Sequence, residues 1–229
     1  MENVTLTATA FKLIKKAFLW VVLGFSFLAL LVQWHWGFAI GGFEIIRSIF
    51  GSVTFAAVIF WVFYKWCWKW GALPLWLGRP VVSGIWIGQL ESNYTHDGQG
   101  NPLQKEIVFV VRQTYLTLCI QSFTDHQVGV SKVEALIQND RTDSTRLAYV
   151  YELKNEYAGQ STLVNGAGDL TLITKSSKKL VLKGAYWTST PTQGRVSVHR
   201  VSEKCEGVSE FADAVKRWPK GPLWKIPNI

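Results

Sequence analysis

The sequence predicts a two-helix transmembrane hairpin followed by an all-β domain, an eight-stranded antiparallel up-and-down barrel with a short C-terminal helix. Three observations carry that expectation. Two long apolar runs occupy the N-terminal part of the 229-residue chain. From Ser83 onward the hydrophobic pattern changes to a period of two. Short links rich in Gly, Asn, Asp and Pro punctuate that pattern. The hairpin is assigned to residues 1–79 and the barrel to residues 80–229.

The spans cover about residues 17–34 and 45–64. Ala17 to Val32 carries no charge and is followed by Gln33-Trp34-His35-Trp36; Ile45 to Tyr64 has Arg47 as its single charge. At ~1.5 Å per helical residue, runs of about 17–25 residues cross a ~30 Å hydrocarbon layer. A buried core helix or a signal peptide is the alternative for each run, but the first is followed by two Trp rather than by a small-residue cleavage site. Lys12, Lys15 and Lys16 precede the first span, and Lys65, Lys69 and Arg79 follow the second, whereas residues 33–43 between the spans hold no Lys or Arg. By the positive-inside rule both ends of the hairpin are cytoplasmic, as expected of a multi-pass membrane protein. Trp61, Trp66, Trp68, Trp70 and Trp76 would form the inner aromatic belt. Arg47 either snorkels to the outer interface or lines a pore.

Charge narrows the partners. Residues 1–79 carry seven basic and two acidic side chains, net +5, and residues 80–229 carry seventeen and fourteen, net +3, which together give the chain's +8. The excess is mostly juxtamembrane, where it suits anionic lipid. The larger part has no dense basic run, so no DNA or RNA polymer is expected as partner. Cys67, Cys119 and Cys205 lie far apart without metal-ligand spacing. No disulfide framework, metal or cofactor is expected.

Strands are expected near Ile85–Tyr94, Lys105–Gln113, Leu116–Thr124, Val128–Gln138, Thr145–Leu153, Gly168–Thr174, Lys179–Thr188 and Arg195–Val201, then a helix from Ser209 to Arg217 ended by Pro219 and Pro222. Eight strands on short links favour a barrel of the lipocalin size class, with room for side chains or one small ligand; a two-sheet sandwich is the alternative. The stretch FVVRQTYLTLCIQSF, Phe109 to Phe123, would be too long as one strand. A two-residue turn at Thr114-Tyr115 sets Gln113 opposite Leu116 and puts Ile107, Phe109, Val111, Leu116, Leu118 and Ile120 on one face. Arg112 then faces the other way.

In an up-and-down barrel alternate links fall at opposite ends. One end gathers Gly84, Trp86, the Arg112–Leu116 turn and Arg200, and reads as a sealed floor with Arg200 stacked on Trp86, a cation–π contact worth ~0.5–2 kcal/mol. The other end gathers Tyr94, His96, Thr124-Asp125-His126, Asn155-Glu156-Tyr157, Thr188 to Thr190 and Arg195. Inward parity adds Leu90 and Ser92 behind Trp86, Tyr149 and Tyr151 behind Leu147, and Tyr186 and Thr188 behind Leu182. This is either a polar-tipped core or a ligand pocket, and rings with a guanidinium suit a small nucleotide. A membrane-tethered, lipocalin-like carrier or sensor of a small hydrophobic ligand is the alternative. Four scattered histidines, no nucleophile elbow and no phosphate loop argue against an enzyme, with Asp125-His126 pointing to opposite faces if it lies in a strand.

Four segments, GIWIGQLESNY (84–94), VRQTYLTLCIQSFT (111–124), LAYVYEL (147–153) and LKGAYWTSTPTQGRVSVHR (182–200), stand in this order behind the hairpin. In this the chain resembles the two-transmembrane, β-strand-rich effectors of bacterial CBASS anti-phage defence, over essentially its whole length. The resemblance implies a barrel that receives a cyclic dinucleotide or related cyclic nucleotide from a partner nucleotidyltransferase. It implies hairpins that associate as a homo-oligomer on activation, disrupt the inner membrane and kill the infected cell. Carried over by motif, the site includes Tyr94, Arg112, Gln113, Tyr151, Tyr186, Thr188 and Arg195, beside Ser92 and Tyr149 from parity. A serine repeat typical of the family after strand three keeps only Ser131 in VGVSKVEA.

Overall fold

The computed structural model describes residues 8–37, 41–94, 103–139, 142, 144–155, 163–174, 180–219, 221 and 224. His96, Glu156 and Tyr157, placed at the mouth by the sequence, lie outside them. The chain divides into two compact units, residues 6–73 and residues from Pro74 onward.

In the first unit, α1 (Ala8–His35) and α2 (Gly42–Lys65) are both long and apolar enough to cross a membrane. They pack antiparallel: Phe18 meets Phe60 with ring centroids 5.3 Å apart, Phe25 meets Phe55 at 4.8 Å, and Gln33 Nε2 donates to Ser48 Oγ at 3.2 Å. Ser26, Ser48, Ser52 and Ala56 are buried while most large apolar side chains face outward, the inverse of a soluble helix pair and the pattern lipid permits. Lys65 lies over the rings of Trp61 and Trp66. Helix α1 starts about nine residues before the expected span, because no Gly or Pro interrupts Ala8 to Ala17.

A single helical turn, α3 (Leu73–Trp76), leads from the first unit into the second, which forms the barrel. Its strands are β1 (Gly84–Ser92), β2 (Leu103–Gln113), β3 (Leu118–Phe123), β4 (Gln127–Asn139), β5 (Ser144–Asn155), β6 (Leu163–Thr174), β7 (Leu180–Thr188) and β8 (Gln193–Ser202). Each pairs antiparallel with its sequence neighbour, and β8 closes on β1, so the fold is an up-and-down barrel and not a sandwich. The lumen is filled in its lower part by Trp86, Phe109, Val111, Leu118, Ile120, Leu147, Leu170 and Leu182.

Two strands are apolar on both faces for a physical reason. The outward residues Ile85, Ile87, Val108 and Val110 form a second core with Val208, Ala214 and Trp224 beneath the C-terminal segment. That segment carries helix α4 (Phe211–Arg217), whose first turn is capped by the Asp213 carboxylate accepting from Ser209 N and Oγ and from Glu210 N. A continuous apolar run such as Ile107–Val111 is what burial on both faces requires.

The turn inside FVVRQTYLTLCIQSF differs from expectation in length. Gln113 opposes Leu118, not Leu116, and the loop is the four residues Thr114–Thr117. Thr114 Oγ1 accepts from the amides of Leu116 and Thr117, and Thr114 N donates to Thr117 O. The hydroxyl therefore ties the loop to itself, as in a Ser/Thr turn. Because the register moves by two residues, the parity survives. Ile107, Phe109, Val111, Leu118 and Ile120 face the lumen and Arg112 faces out, bonded to Gln121.

The floor is closed by different contacts from those expected. Arg200 opposes Trp86 in register but does not stack on it. Its guanidinium donates to Val81 O at 3.2 Å and to Glu203 at 2.9 Å, while Trp86 Nε1 donates to Val82 O. The cation–π contact at this end belongs to Arg79, 5.6 Å from the ring centre of Tyr115. Gln113 is buried and holds the entering chain: Oε1 accepts from Val82 N at 2.8 Å and Ser83 N at 3.2 Å, and Nε2 donates to Pro80 O at 3.1 Å.

Candidate functional site

Three tyrosines enter the lumen from β5 and β7, and each lies across glycine. Tyr149 faces Gly168, Tyr151 faces Gly166, and Tyr186 is flanked by Gly168 and Gly194. A β-carbon at Gly168 would lie 2.6 Å from Cε1 and Cζ of Tyr149, whereas one at Gly194 would run first into the backbone carbonyl of Glu91 and also lie 2.8 Å from Cε1 of Tyr186. One at Gly166 would collide with Cζ of Tyr151. Any larger residue on β6 would push these rings off the wall. Glycine lets each phenol lie down on the neighbouring strand, the arrangement by which aromatic rings cover strand glycines.

The register aligns these residues. Ser92 opposes Gly194, Gly194 opposes Tyr186, Tyr186 opposes Gly168, Gly168 opposes Tyr149, and Tyr149 opposes Glu134. One row therefore runs from the mouth at β1 down to mid-barrel on β4. A second row sets Ser131, Tyr151, Gly166 and Thr188 side by side. Tyr149 and Tyr151 rings are 5.6 Å apart and Phe109 meets Tyr149 edge-on at 6.1 Å, which fixes the phenols sideways.

All three phenols stay protonated. Burial, then the neighbouring Tyr151 and Tyr186, pushes Tyr149 far above the usual phenol range. Burial, then Tyr186, pushes Tyr151 up to about 12. Burial also raises Tyr186, against the hydrogen bond it shares with Ser92, which lowers it. Each is thus a neutral hydroxyl, able to donate to a phosphate or base oxygen and to accept in return.

The rim adds a different chemistry. An open recess of about 490 Å³ spans the ends of β1, β7 and β8, lined among others by Ser92, Asn93, Tyr186, Trp187, Gly194 and Arg195. It gathers Ser92, Tyr186 and Arg195 of the residues expected from sequence. Arg195 itself lies on the outer face opposite Glu91, not in the lumen. Thr188 is engaged within its own turn, its hydroxyl 2.8 Å from the carbonyl and from the hydroxyl oxygen of Thr190. Tyr94 follows the end of β1 and is half-exposed, its amide donating to Ser92 Oγ at 3.1 Å. Arg112 and Gln113 sit at the opposite end of the barrel, the first outside and the second within the floor. Two residues escaped the sequence reading. Trp187, 49% exposed, presents a ring beside Arg195; an exposed Trp in a polar strand end was the available signal. Glu134 faces the lumen from β4 because a bulge between Ser131 and Val133 resets its parity, which no periodicity discloses.

Among the described residues no cluster of three His, Cys, Asp or Glu could hold a metal. The architecture is a closed eight-stranded barrel carried behind two helices long and apolar enough to cross a membrane, with neutral phenols in its upper lumen. Over 152 residues the chain is 22% identical to CD-NTase-associated protein 15 of Escherichia albertii, an alignment that covers 65% of this chain and 74% of that protein. No family model matches the chain.

Proposed function

We propose that this chain is a non-enzymatic effector of CBASS anti-phage defence. In this reading the barrel binds a cyclic dinucleotide made by a partner nucleotidyltransferase. Ligand binding favours a homo-oligomer, and the packed hairpins breach the bacterial inner membrane from the cytoplasmic side. The observation that carries it is the descending row of hydroxyls and phenols lying on glycines, with Trp187 and Arg195 at the rim. Bases stack on such rings, and phosphates take phenol and guanidinium donors. The likeness to a CD-NTase-associated protein and the two apolar helices support the same reading. A hydrophobic carrier would want aliphatic side chains up to the mouth, where this barrel has Ser92, Tyr151 and Tyr186.

The population shift requires ligand to bind the oligomer better than the monomer. The buried faces of α1 and α2, with Ser26, Ser48 and Ser52, offer close helix approach. The test uses the full chain in detergent against a panel of cyclic dinucleotides, read by thermal shift and sedimentation. A binder that raises the melting temperature and the sedimenting mass together is expected. If no purine- or pyrimidine-containing member does either, the reading fails.

A further inference from the structure

Glu134 is a carboxylate kept where carboxylates are costly. The residue is 6% exposed, and it opposes Tyr149 and lies two residues from Leu136, both in the lumen core. Its Oε2 is buried with no hydrogen-bond partner. The nearest cation along the chain, Lys132, is taken by Glu152, 3.5 Å away. A carboxylate oxygen buried without a donor is unfavourable, so an apolar residue of similar size would serve the fold better.

Its position is also unusual. Strands β3 and β4 are paired only from Gln121–Phe123 against Val128–Val130. Past that point Ser131 Oγ stands in for the ladder by accepting from Ile120 N at 2.8 Å. The bulge that follows turns Glu134 inward. The row from the rim therefore passes two neutral phenols, Tyr186 and Tyr149, and ends on the one acidic residue that the register sets in it.

We propose that Glu134 is the base-reading residue of the lumen and selects a guanine-containing ligand. This inference rests on the cyclic-dinucleotide reading above. The chemistry is that of donor patterns. An ionised carboxylate only accepts, through two oxygens side by side. Guanine presents two adjacent donors on its Watson–Crick edge, N1–H and the N2 amine, and fits both oxygens at once. Adenine, cytosine and uracil each set an acceptor beside their donor, which a carboxylate repels. A site with a buried acceptor left unmatched discriminates strongly.

The test compares cyclic di-GMP, cyclic GMP–AMP, cyclic di-AMP and cyclic di-UMP on the full chain in detergent, by calorimetric titration, for the native chain and for Glu134→Gln. The native chain is expected to bind the guanine-containing ligands at least tenfold more tightly than the others. Glu134→Gln keeps the shape but sets a donor beside an acceptor, so guanine affinity should fall about 10–100-fold, while ligands without guanine should hold or gain affinity because the repelling oxygen has become a donor. Without ligand the same variant should melt at a higher temperature than the native chain, because an amide costs less than a carboxylate to keep there unpartnered. Stability up with guanine affinity down is the signature of a functional rather than structural residue. Binding of cyclic dinucleotides with no guanine preference, or a preference that survives Glu134→Gln, overturns this inference and leaves the proposed function standing. Absence of binding to every member overturns both.

Discussion

Gly168→Ala adds one methyl group at a point where the backbone is ordinary but the space is taken. The new Cβ would lie 2.6 Å from Cε1 and Cζ of Tyr149 and 2.7 Å from its hydroxyl oxygen, and its three nearest neighbours are all atoms of that one ring. Carbon atoms sit comfortably at ~3.5–4.0 Å, so the ring must retreat by about 1 Å. Tyr149 is buried and packed edge-on against Phe109 and beside Tyr151, so retreat means repacking the upper lumen. Overpacking of this kind costs about 1–3 kcal/mol, whereas Gly to Ala in a strand without a clash stabilises by about 0.4–1 kcal/mol. The sign of the effect is therefore set by the ring alone. Thermal unfolding of the full chain in detergent, followed by near-ultraviolet circular dichroism, should show a loss of about 3–10 °C. In a Tyr149→Ala background the same substitution should be neutral or stabilising, a coupling of roughly 2–3 kcal/mol in a double-mutant cycle. A wild-type background that tolerates Gly168→Ala, or a cost that persists without the ring, would refute the account of glycine as the seat of the phenol.

Gln113→Leu keeps the bulk of the floor residue but strands the amides of Val82 and Ser83 and the carbonyl of Pro80, and should cost about 2–4 kcal/mol in the same melt; a change below half a kcal/mol would show that the plug is incidental. Tyr151 should resist ionisation until about pH 12, so an absorbance titration should lose a late step in Tyr151→Phe. Because its folded pKa lies above the unfolded value of about 10, its stabilising share is intact below pH 10 and is lost as pH rises toward 12; a barrel whose stability climbs in that window contradicts the burial. Trp187→Ala should leave the melting temperature within about 1–2 °C, as for other exposed sites. It should still weaken cyclic-dinucleotide binding about tenfold if the rim ring stacks a base. Unchanged affinity would move the stacking surface to the lumen phenols.

Element identity was legible because period and length speak directly to it. The start of β6 shows where that legibility stops. The expected strand begins at Gly168, whereas β6 begins at Leu163, and Gly166 and Gly168 are both in it to accommodate Tyr151 and Tyr149 from β5. The reason for a small residue lies on another strand, so no local reading contains it. Trp86 and Arg200 make the converse point: register neighbours were foreseen, but their polar atoms chose Val82, Val81 and Glu203 instead of each other. Side-chain partners depend on which carbonyls the floor leaves unpaired, and that is settled only when the barrel closes.

The sequence by itself therefore determined the two apolar helices, the eight strands in meander order, the inward parity of Tyr149, Tyr151 and Tyr186, and the outward face of Arg112. Each follows from a short-range rule: hydrophobic length for a span and alternation for a strand. Tertiary structure alone decided that Gln113 is a three-bond plug, that Arg195 stands outside the wall, and that Glu134 turns into the lumen. Those outcomes rest on closure of β8 on β1 and on a single bulge in β4, which move a residue across the wall without changing one letter of its neighbourhood.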